Sequence, residues 1–286
     1  MSKRPIVTGA VGFIGKHLSK SLEMPVRCDA EPEYAVWTPD EIDIHFQHAS
    51  AIYHLGAISS TTETDINKIA ENNIRFSCYL LENAIKNNIP FVYASSASVY
   101  GLGNNGFSEE AISSPVNYYA ISKTCFDMFA MQKIKDNPSA KIVGLRYFNV
   151  YGSGEDRKND MASPVHKFLN QSKLDNEIKI FEGSENFLRD FVHVDDVVAI
   201  TKNSVDFPSG IYNVGTGKAR SFLEVAEIIS KLTGAKITTI PFPDHLVGKY
   251  QDYTCSNNSK IDKTSCSADR ISLEDGIKKV FIAASA

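Results

Sequence analysis

Three glycines spaced three apart, Gly9, Gly12 and Gly15, separate a short apolar run at residues 5–8 from a helical stretch at residues 12–22. A strand that feeds a helix through so tight a turn needs residues without a Cβ, because backbone must approach backbone. The first N–H groups of that helix have no partners within it and suit a pyrophosphate. A glycine triplet taken alone fits a structural turn nearly as well. The rest of the chain tips the balance. Apolar runs at residues 51–55, 91–95 and 142–148 alternate with helical stretches at 65–87 and 118–135. In the first stretch Ile66, Ile69, Ile74, Leu81 and Ile85 fall at helical spacing. Such alternation gives a parallel sheet covered by helices. The expected class is α/β, a Rossmann-type doubly wound parallel sheet. Residues 1–151, with parts of 186–215, would form the dinucleotide-binding domain. Residues 152–286, looser in pattern but with a helix at 222–232, would form a smaller, discontinuous C-terminal substrate-binding part.

Composition excludes several alternatives. The chain has 286 residues, 43% of them hydrophobic, which rules out disorder. Its 30 basic and 34 acidic side chains argue against a nucleic-acid partner. No apolar run nears the ~18 residues that span a bilayer, so no membrane partner is expected. The five cysteines form no C-x-x-C pair, the His and Cys spacings suggest no metal, and no secretory segment opens the chain. The expectation is a reduced, cytoplasmic protein.

Residues 16–50 number only 35. Three helices and two strands of average length would need roughly 43, so one helix of the usual doubly wound half is expected to be missing. Strand two is placed at 25–28 and strand three at 34–37. Asp29, at the end of strand two, is where an acidic residue would hold an adenosine ribose; a solvated carboxylate is almost as good a reading. Residues 30–50 contain no Lys or Arg but carry Glu31, Glu33, Asp40, Glu41 and Asp43. That charge favours NAD slightly over NADP, unless Arg27 turns toward a 2′-phosphate.

Ser96, Tyr119 and Lys123 are the candidate chemistry. Tyr119 and Lys123 are four apart and share a helix face. A neighbouring ammonium would favour the phenolate and make Tyr119 a base at neutral pH. Ser96 follows a strand and would polarise a substrate oxygen beside it. Tyr118 is expected to pack, His54 to be a hydrogen-bonded core histidine, and Asp195 with Asp196 to be a helix cap and its neighbour.

With these residues in place, the chain resembles the extended short-chain dehydrogenase/reductases, in their nucleotide-sugar epimerase group, and within it the ADP-heptose 6-epimerases. The stretches that carry the resemblance are G-A-V-G-F-I-G at 9–15, S-S-T-T-E-T-D at 59–65 and Y-A-S-S-A-S-V-Y-G at 93–101. Further on come R-Y-F-N-V-Y-G at 146–152, M-A-S at 161–163 and F-E-G-S-E-N-F-L-R-D-F-V at 181–192. N-V-G-T-G at 213–217 and I-P-F-P-D at 240–244 complete them. The resemblance implies cofactor contacts at Gly9, Gly12, Phe13, Ile14, Gly15, Asp29, Leu55, Gly56, Ala57, Ile58, Ser59, Asn72, Tyr119, Lys123 and Val150. It implies sugar and diphosphate contacts at Ser96, Asn149, Asp160, Phe181, Glu182, Gly183, Ser184, Arg189 and Tyr250. Asp160 stands where the family has a serine.

Two acid/base groups are implied, Tyr119 and Lys158, with Ser96 and Lys123 as the other catalytic positions. By itself Lys158 reads as solvated surface beside Arg157. Arg189 would grip a diphosphate, against an ion pair with Asp190. The family usually takes NADP, so the cofactor stays open between NAD and NADP. The implied partner is a nucleotide-diphosphate sugar, and the implied assembly a homo-oligomer built on the helices at 65–87 and 118–135. A 4-epimerase would need Ser96, Tyr119 and Lys123 but not Lys158. A third reading is a non-catalytic nucleotide-sugar binding protein with a degraded cofactor site. A 4,6-dehydratase is disfavoured, because Ala97, Ser98 and Val99 offer no acidic pair.

Overall fold

Strand β1 (Arg4–Thr8) starts the fold, with Ile6 and Val7 completely buried on opposite faces. A strand apolar on both faces belongs inside a sheet covered on both sides. The computed structural model describes residues 3–29, 39–103, 105–243, 251–267 and 269–285. After β1 come α1 (Phe13–Ser21), β2 (Val26–Cys28), α2 (Pro39–Phe46), β3 (Ala49–His54) and α3 (Ile66–Ile69). A π-helical turn (Ala70–Arg75) joins α3 to α4 (Phe76–Lys86), followed by β4 (Phe91–Ser96), α5 (Tyr118–Asp136) and β5 (Ile142–Tyr147). The later chain forms β6 (Asn149–Tyr151), α6 (Pro164–Asp175), β7 (Glu177–Phe181), β8 (Leu188–His193) and α7 (Val194–Asn203). It ends with β9 (Gly210–Val214), β10 (Ala219–Ser221), α8 (Phe222–Thr233), β11 (Lys236–Ile240) and α9 (Leu273–Ser285).

Among the described residues the main sheet runs β2-β1-β3-β4-β5-β9, every pair parallel. The chain leaves β1 outward to β2, then crosses back to β3 on the other side of β1. Ligands of such sheets bind at that reversal, beyond the carboxyl ends of the strands. One face of the sheet packs α1 and α7 through Leu18, Val197 and Val198. The other packs α4 and α5 through Leu80, Leu81, Phe126 and Ala130. A second core, with Val165, Phe168, Ile178, Val225 and Ile277, holds α6, α8 and α9 around β7 and β11. The sequence thus reads correctly as a doubly wound α/β fold. Residues 16–50 hold α1, β2 and α2 among the described residues, and the strand expected at 34–37 lies outside them.

Helix α5 positions most of the chemistry. Its N-cap Asn117 accepts a hydrogen bond from the Ala120 N–H at 2.8 Å, which fixes where the helix begins. Tyr119 is then in the first turn and Lys123 one turn further, on the buried face. The helix is apolar on both sides and polar within. Its inner face buries Ser122, Lys123 and Asp127 beside Ala120, Phe126 and Ala130, while Tyr118, Ile121, Met128 and Met131 are exposed. Tyr118, expected to pack, is instead 43% exposed, because the inner face is taken by Tyr119 and its turn partners.

The glycine turn is as tight as its sequence implies. Gly9 has φ +68°, and a Cβ there would lie 2.6 Å from the Gly56 nitrogen. A Cβ on Gly15 would lie 1.9 Å from the Gly9 carbonyl oxygen, a backbone atom that cannot step aside. Gly15→Ala is therefore expected to destabilise the fold by about 1–3 kcal/mol. Nicotinamide dinucleotide affinity should fall with it, measured by urea denaturation and by fluorescence titration. A Gly15→Ala variant with unchanged midpoint and affinity would refute the close-approach argument.

Candidate active site

The carboxyl ends of β1, β3 and β4 open on a cleft of about 940 Å³. Thr8 closes β1 and His54 closes β3, and a chain of hydrogen bonds ties both to the helices behind. The Gly56 N–H donates to Thr8 Oγ1 at 3.3 Å, and Thr8 Oγ1 meets His54 Nδ1 at 2.7 Å. His54 Nε2 meets Ser77 Oγ at 2.8 Å, and that hydroxyl donates to the Asn73 carbonyl at 2.8 Å. Since Ser77 donates onward, His54 carries its proton on Nε2 and accepts on Nδ1. Burial, aided by the Lys123 charge, pushes His54 down to about 3, so the ring is neutral. It is the packed, hydrogen-bonded histidine its setting implied.

Asn73 was not singled out by the sequence reading. Its Oδ1 accepts from the Ile58 N–H at 2.8 Å and its Nδ2 donates to the Ile58 carbonyl at 2.9 Å. The same amide nitrogen donates to Ser122 Oγ at 3.0 Å, and Ser122 donates to the Tyr119 carbonyl at 2.7 Å. One buried side chain thus locks the cleft wall to α5. The π turn that carries it bulges into the site, as such turns often do.

Every residue expected to touch a cofactor lines this one cleft. Gly9, Gly12, Phe13, Ile14 and Gly15 form one end with Asp29, and Leu55, Gly56, Ala57, Ile58, Ser59 and Asn72 form a wall. Ser96, Tyr119, Lys123, Val150 and Lys158 line it as well. A Cβ on Gly9 or Gly15 would collide with the backbone that shapes the turn, and Asp29 Oδ2 accepts the Val11 N–H at 2.7 Å, bracing the loop from β2. These residues fit a dinucleotide: a glycine turn for the pyrophosphate, a carboxylate at the neighbouring strand end, and an extended wall beside them.

Tyr119 is half-buried, and Lys123 is only 6% exposed. Burial pushes the Tyr119 phenol up from its ordinary value, and the Ser96 hydroxyl draws it back. Burial also pulls Lys123 down to about 8, with Asp127 opposing the fall. The Lys123 ammonium, expected to favour the phenolate, is turned to a backbone partner. It donates to the Ala94 carbonyl at 2.8 Å and lies 5.9 Å from the centre of the Tyr119 ring. The hydroxyl of Ser96 supplies the pull toward phenolate. Ser96 also caps a 3₁₀ turn, accepting from the Ser98 N–H at 3.2 Å.

Lys158 enters the cleft from the 3₁₀ segment Asp156–Met161. Its ammonium pairs with Glu155 Oε2 at 2.8 Å and lies 4.7 Å from the centre of the Phe13 ring. Glu155 is completely buried and also accepts from the Gly152 N–H (3.1 Å), the Ser163 N–H (2.8 Å) and the Ser163 hydroxyl (2.7 Å). Lys158 is therefore no loose surface lysine. Glu155 escaped the sequence reading because nothing in one chain marks an acidic loop residue as buried. Asp127 had a signal, since it follows Lys123 by one helical turn.

Of the expected sugar and diphosphate contacts, Ser96 lines the cleft, whereas Asn149, Phe181, Glu182, Gly183, Ser184 and Arg189 are not among its lining residues. Phe181, Glu182, Gly183 and Ser184 form a turn after β7, where the Ser184 hydroxyl donates to the Phe181 carbonyl at 2.6 Å. Arg189 is buried on β8, donating to the carbonyls of Leu188 (2.9 Å) and Gln251, with its guanidinium 5.6 Å from the Phe222 ring centre. An Arg189–Asp190 ion pair is not what holds them. Asp190 accepts instead from Thr216 (2.7 Å), Gly217 (2.9 Å) and Ser256 (2.9 Å) N–H groups. Asn149 meets Thr254 Oγ1 at 3.5 Å. Asp160 belongs to the Asp156–Met161 segment, and Tyr250 lies outside the described residues. The α7 cap is His193, which accepts the Asp195 N–H at 3.2 Å; Asp195 and Asp196 follow in the first turn.

A doubly wound sheet, a glycine cradle at its switch point and a Ser96–Tyr119–Lys123 cluster beside it define a short-chain dehydrogenase/reductase. Comparison with known proteins narrows the class. The model of the NAD dependent epimerase/dehydratase family matches residues 6–215, and the chain belongs to that family. It is 39% identical to an ADP-L-glycero-D-manno-heptose-6-epimerase of Brachyspira hyodysenteriae, over 96% of this chain and 95% of that one. An enzyme of the same name from Alkalilimnicola ehrlichii is 38% identical, with the same two coverages. The crystal structure of the Helicobacter pylori ADP-L-glycero-D-manno-heptose-6-epimerase superposes with a TM-score of 0.85 at 28% identity, covering 100% of this chain and 97% of that one. The protein is accordingly a nicotinamide-dependent enzyme of the epimerase type, and among the described residues no helix is long and apolar enough to cross a membrane.

Proposed function

We propose that the protein inverts the C6 carbinol of an ADP-linked glycero-manno-heptose by transient oxidation to a ketone. The observation that carries this reading is the placement of Lys158. It lines the same cleft as Ser96, Tyr119 and Lys123 but comes from a different element, pinned by buried Glu155. A bound nicotinamide dinucleotide, held by the glycine turn, Asp29 and residues 55–59, supplies reversible acceptance of the hydride from carbon. The chain's own groups handle the proton and the oxygen. One of Tyr119 Oη and Lys158 Nζ takes the hydroxyl proton as the C–H bond breaks, leaving a planar ketone. Ser96 Oγ polarises the carbonyl. For inversion, the ketone must turn its other face to the returning hydride, and its oxygen moves with the turn. A second proton donor must then be at hand, and two groups on two elements provide it. Arg189 is proposed to restrain the diphosphate through that rotation.

For the cofactor we favour NAD. Asp29 places a carboxylate at the end of β2, inside the cleft, where a ribose hydroxyl finds an acceptor and a 2′-phosphate finds repulsion. The assembly is proposed to be a homo-oligomer formed on the outer face of α5. There Tyr118, Ile121, Met128 and Met131 expose a run of apolar surface that no ordinary surface helix carries.

Tyr119→Phe and Lys158→Ala should each lower turnover by about 10²-fold or more, followed by NMR of epimer formation with ADP-, GDP- and UDP-sugars. Undiminished turnover in Lys158→Ala eliminates the two-group mechanism and favours a 4-epimerase. NADH should bind about tenfold tighter than NADPH by fluorescence titration, the ratio given by ~1.4 kcal/mol of charge repulsion. Equal affinities would count against Asp29 as the discriminating group. Met128→Glu should shift the mass in light scattering toward the monomer. An unchanged assembly would move the interface off α5.

A further inference from the structure

We propose that Glu155 is a positioning residue that clasps residues 152–163 into a strap across the cleft and so slows release of the dinucleotide. The clasp is one carboxylate. Its Oε1 accepts the Gly152 N–H at 3.1 Å and the Ser163 hydroxyl at 2.7 Å. Its Oε2 accepts the Ser163 N–H at 2.8 Å and the Lys158 ammonium at 2.8 Å. Gly152 and Ser163 are the two ends of the segment, so the side chain closes the loop at its neck. Compact surface loops whose ends lie close together are frequently functional. The glutamate is completely buried, and a carboxylate withdrawn from water needs such a set of donors.

Beyond the neck the segment meets both sides of the cleft. At its start, a Cβ on Gly152 would lie 2.4 Å from Val194 Cγ1 and 3.5 Å from the Phe13 ring. The Lys158 ammonium lies 4.7 Å from the centre of that same ring, which belongs to the first residue of α1. On the other side the Thr61 hydroxyl donates to Met161 Sδ at 3.8 Å. Gly154, Asp156, Lys158 and Met161 line the cleft together with Ser59 and Thr61 of the stretch after β3. One segment thus reaches from the glycine turn to the wall. A dinucleotide held by that turn and that wall must pass the segment to leave. An enzyme that takes a hydride from a sugar and returns it has to keep its cofactor between the two steps. The inference rests on the dinucleotide site of the proposed function, not on its sugar or its proton transfers.

Glutamine in place of Glu155 keeps the shape and breaks the clasp. Four donors converge on the carboxylate, whereas an amide offers one acceptor oxygen and turns N–H donors of its own toward the rest. Loss of one hydrogen bond to a charged group is enough for about a tenfold effect.

The test is release of bound NADH from the purified holoenzyme, followed by fluorescence after a chase with excess NAD. Glu155→Gln should release NADH about tenfold faster than the unsubstituted protein. Lys158→Ala leaves the carboxylate its bonds to Gly152 and Ser163, and it should release NADH more slowly than Glu155→Gln does. Met161 is 36% exposed, so Met161→Ala spares the core and loosens only the far contact. It should speed release about twofold, the low end for one hydrogen bond. A purely structural Glu155 lowers the melting temperature of Glu155→Gln and leaves release at its original rate, and that result overturns the proposal. Equal release from Glu155→Gln and Lys158→Ala overturns it as well, since the lysine alone would then be the hold. Where Glu155→Gln does not fold, Met161→Ala decides, and an unchanged rate there sinks the strap. Because no sugar takes part, a protein that epimerises none of the sugars tried leaves this result standing and fails only the proposed function.

Discussion

An ammonium group buried to 6% exposure needs partners, and the packing of α5 on the main sheet is arranged around that need. Lys123 reaches the Ala94 carbonyl at the end of β4, which pins α5 to the sheet at the edge of the cleft. Asn117 fixes the start of the helix, and Asn73 ties its first turn to the wall at Ile58. Tyr119 is thereby set by three independent anchors before any ligand arrives. The mixed inner face of the helix follows from the same constraint. Ser122, Lys123 and Asp127 are buried there beside the core residues Ala120, Phe126 and Ala130.

The glycine turn imposes a second constraint, of shape rather than charge. Backbone packs on backbone where Gly9 meets Gly56 and where Gly15 meets the Gly9 carbonyl. The first contact joins the turn to the residues that follow β3. Cradle and wall therefore belong to one rigid surface at the switch point, and Asp29 braces it from β2. The smaller half contributes through the segment after β6. Glu155 gathers two backbone N–H groups and a hydroxyl around one carboxylate, and Lys158 is the charge that completes them.

What was legible in the sequence was legible for local reasons. The glycine spacing, the alternation of strand and helix and the four-residue interval from Tyr119 to Lys123 all act within a few residues. They placed β1, β4, α5 and the glycine end of the cleft, while the wall at 55–59, Asn72, Val150 and Lys158 came from the family resemblance. The part of Ser96 beside the phenol was not legible, because spacing shows that two side chains share a face but not which way the ammonium turns. Lys123 turns to a carbonyl, and Ser96 takes the role given to it. His193 in place of Asp195 as the cap of α7 shows the same limit, since several polar residues in a row leave the first helical residue ambiguous. Asn73, Glu155 and the partners of Arg189 depend on burial between distant segments, which no local pattern records.

Lys123 and Lys158, both lining the cleft, differ in a way that divides their parts in the proposed reaction. Lys123 is sunk beneath the surface, bonded to a backbone carbonyl, with burial pulling it down to about 8. Its nitrogen is thereby held away from a substrate hydroxyl. Lys158 has 27% of its side chain exposed and pairs with a carboxylate through one flexible stem. Such a group can leave Glu155 for a substrate oxygen and return, with the buried carboxylate waiting on its other donors. A reaction that needs a proton at two places is served by one phenol on a rigid helix and one amine on a tether. The buried polar groups of α5 and the buried Glu155 are the two features that make each of them possible.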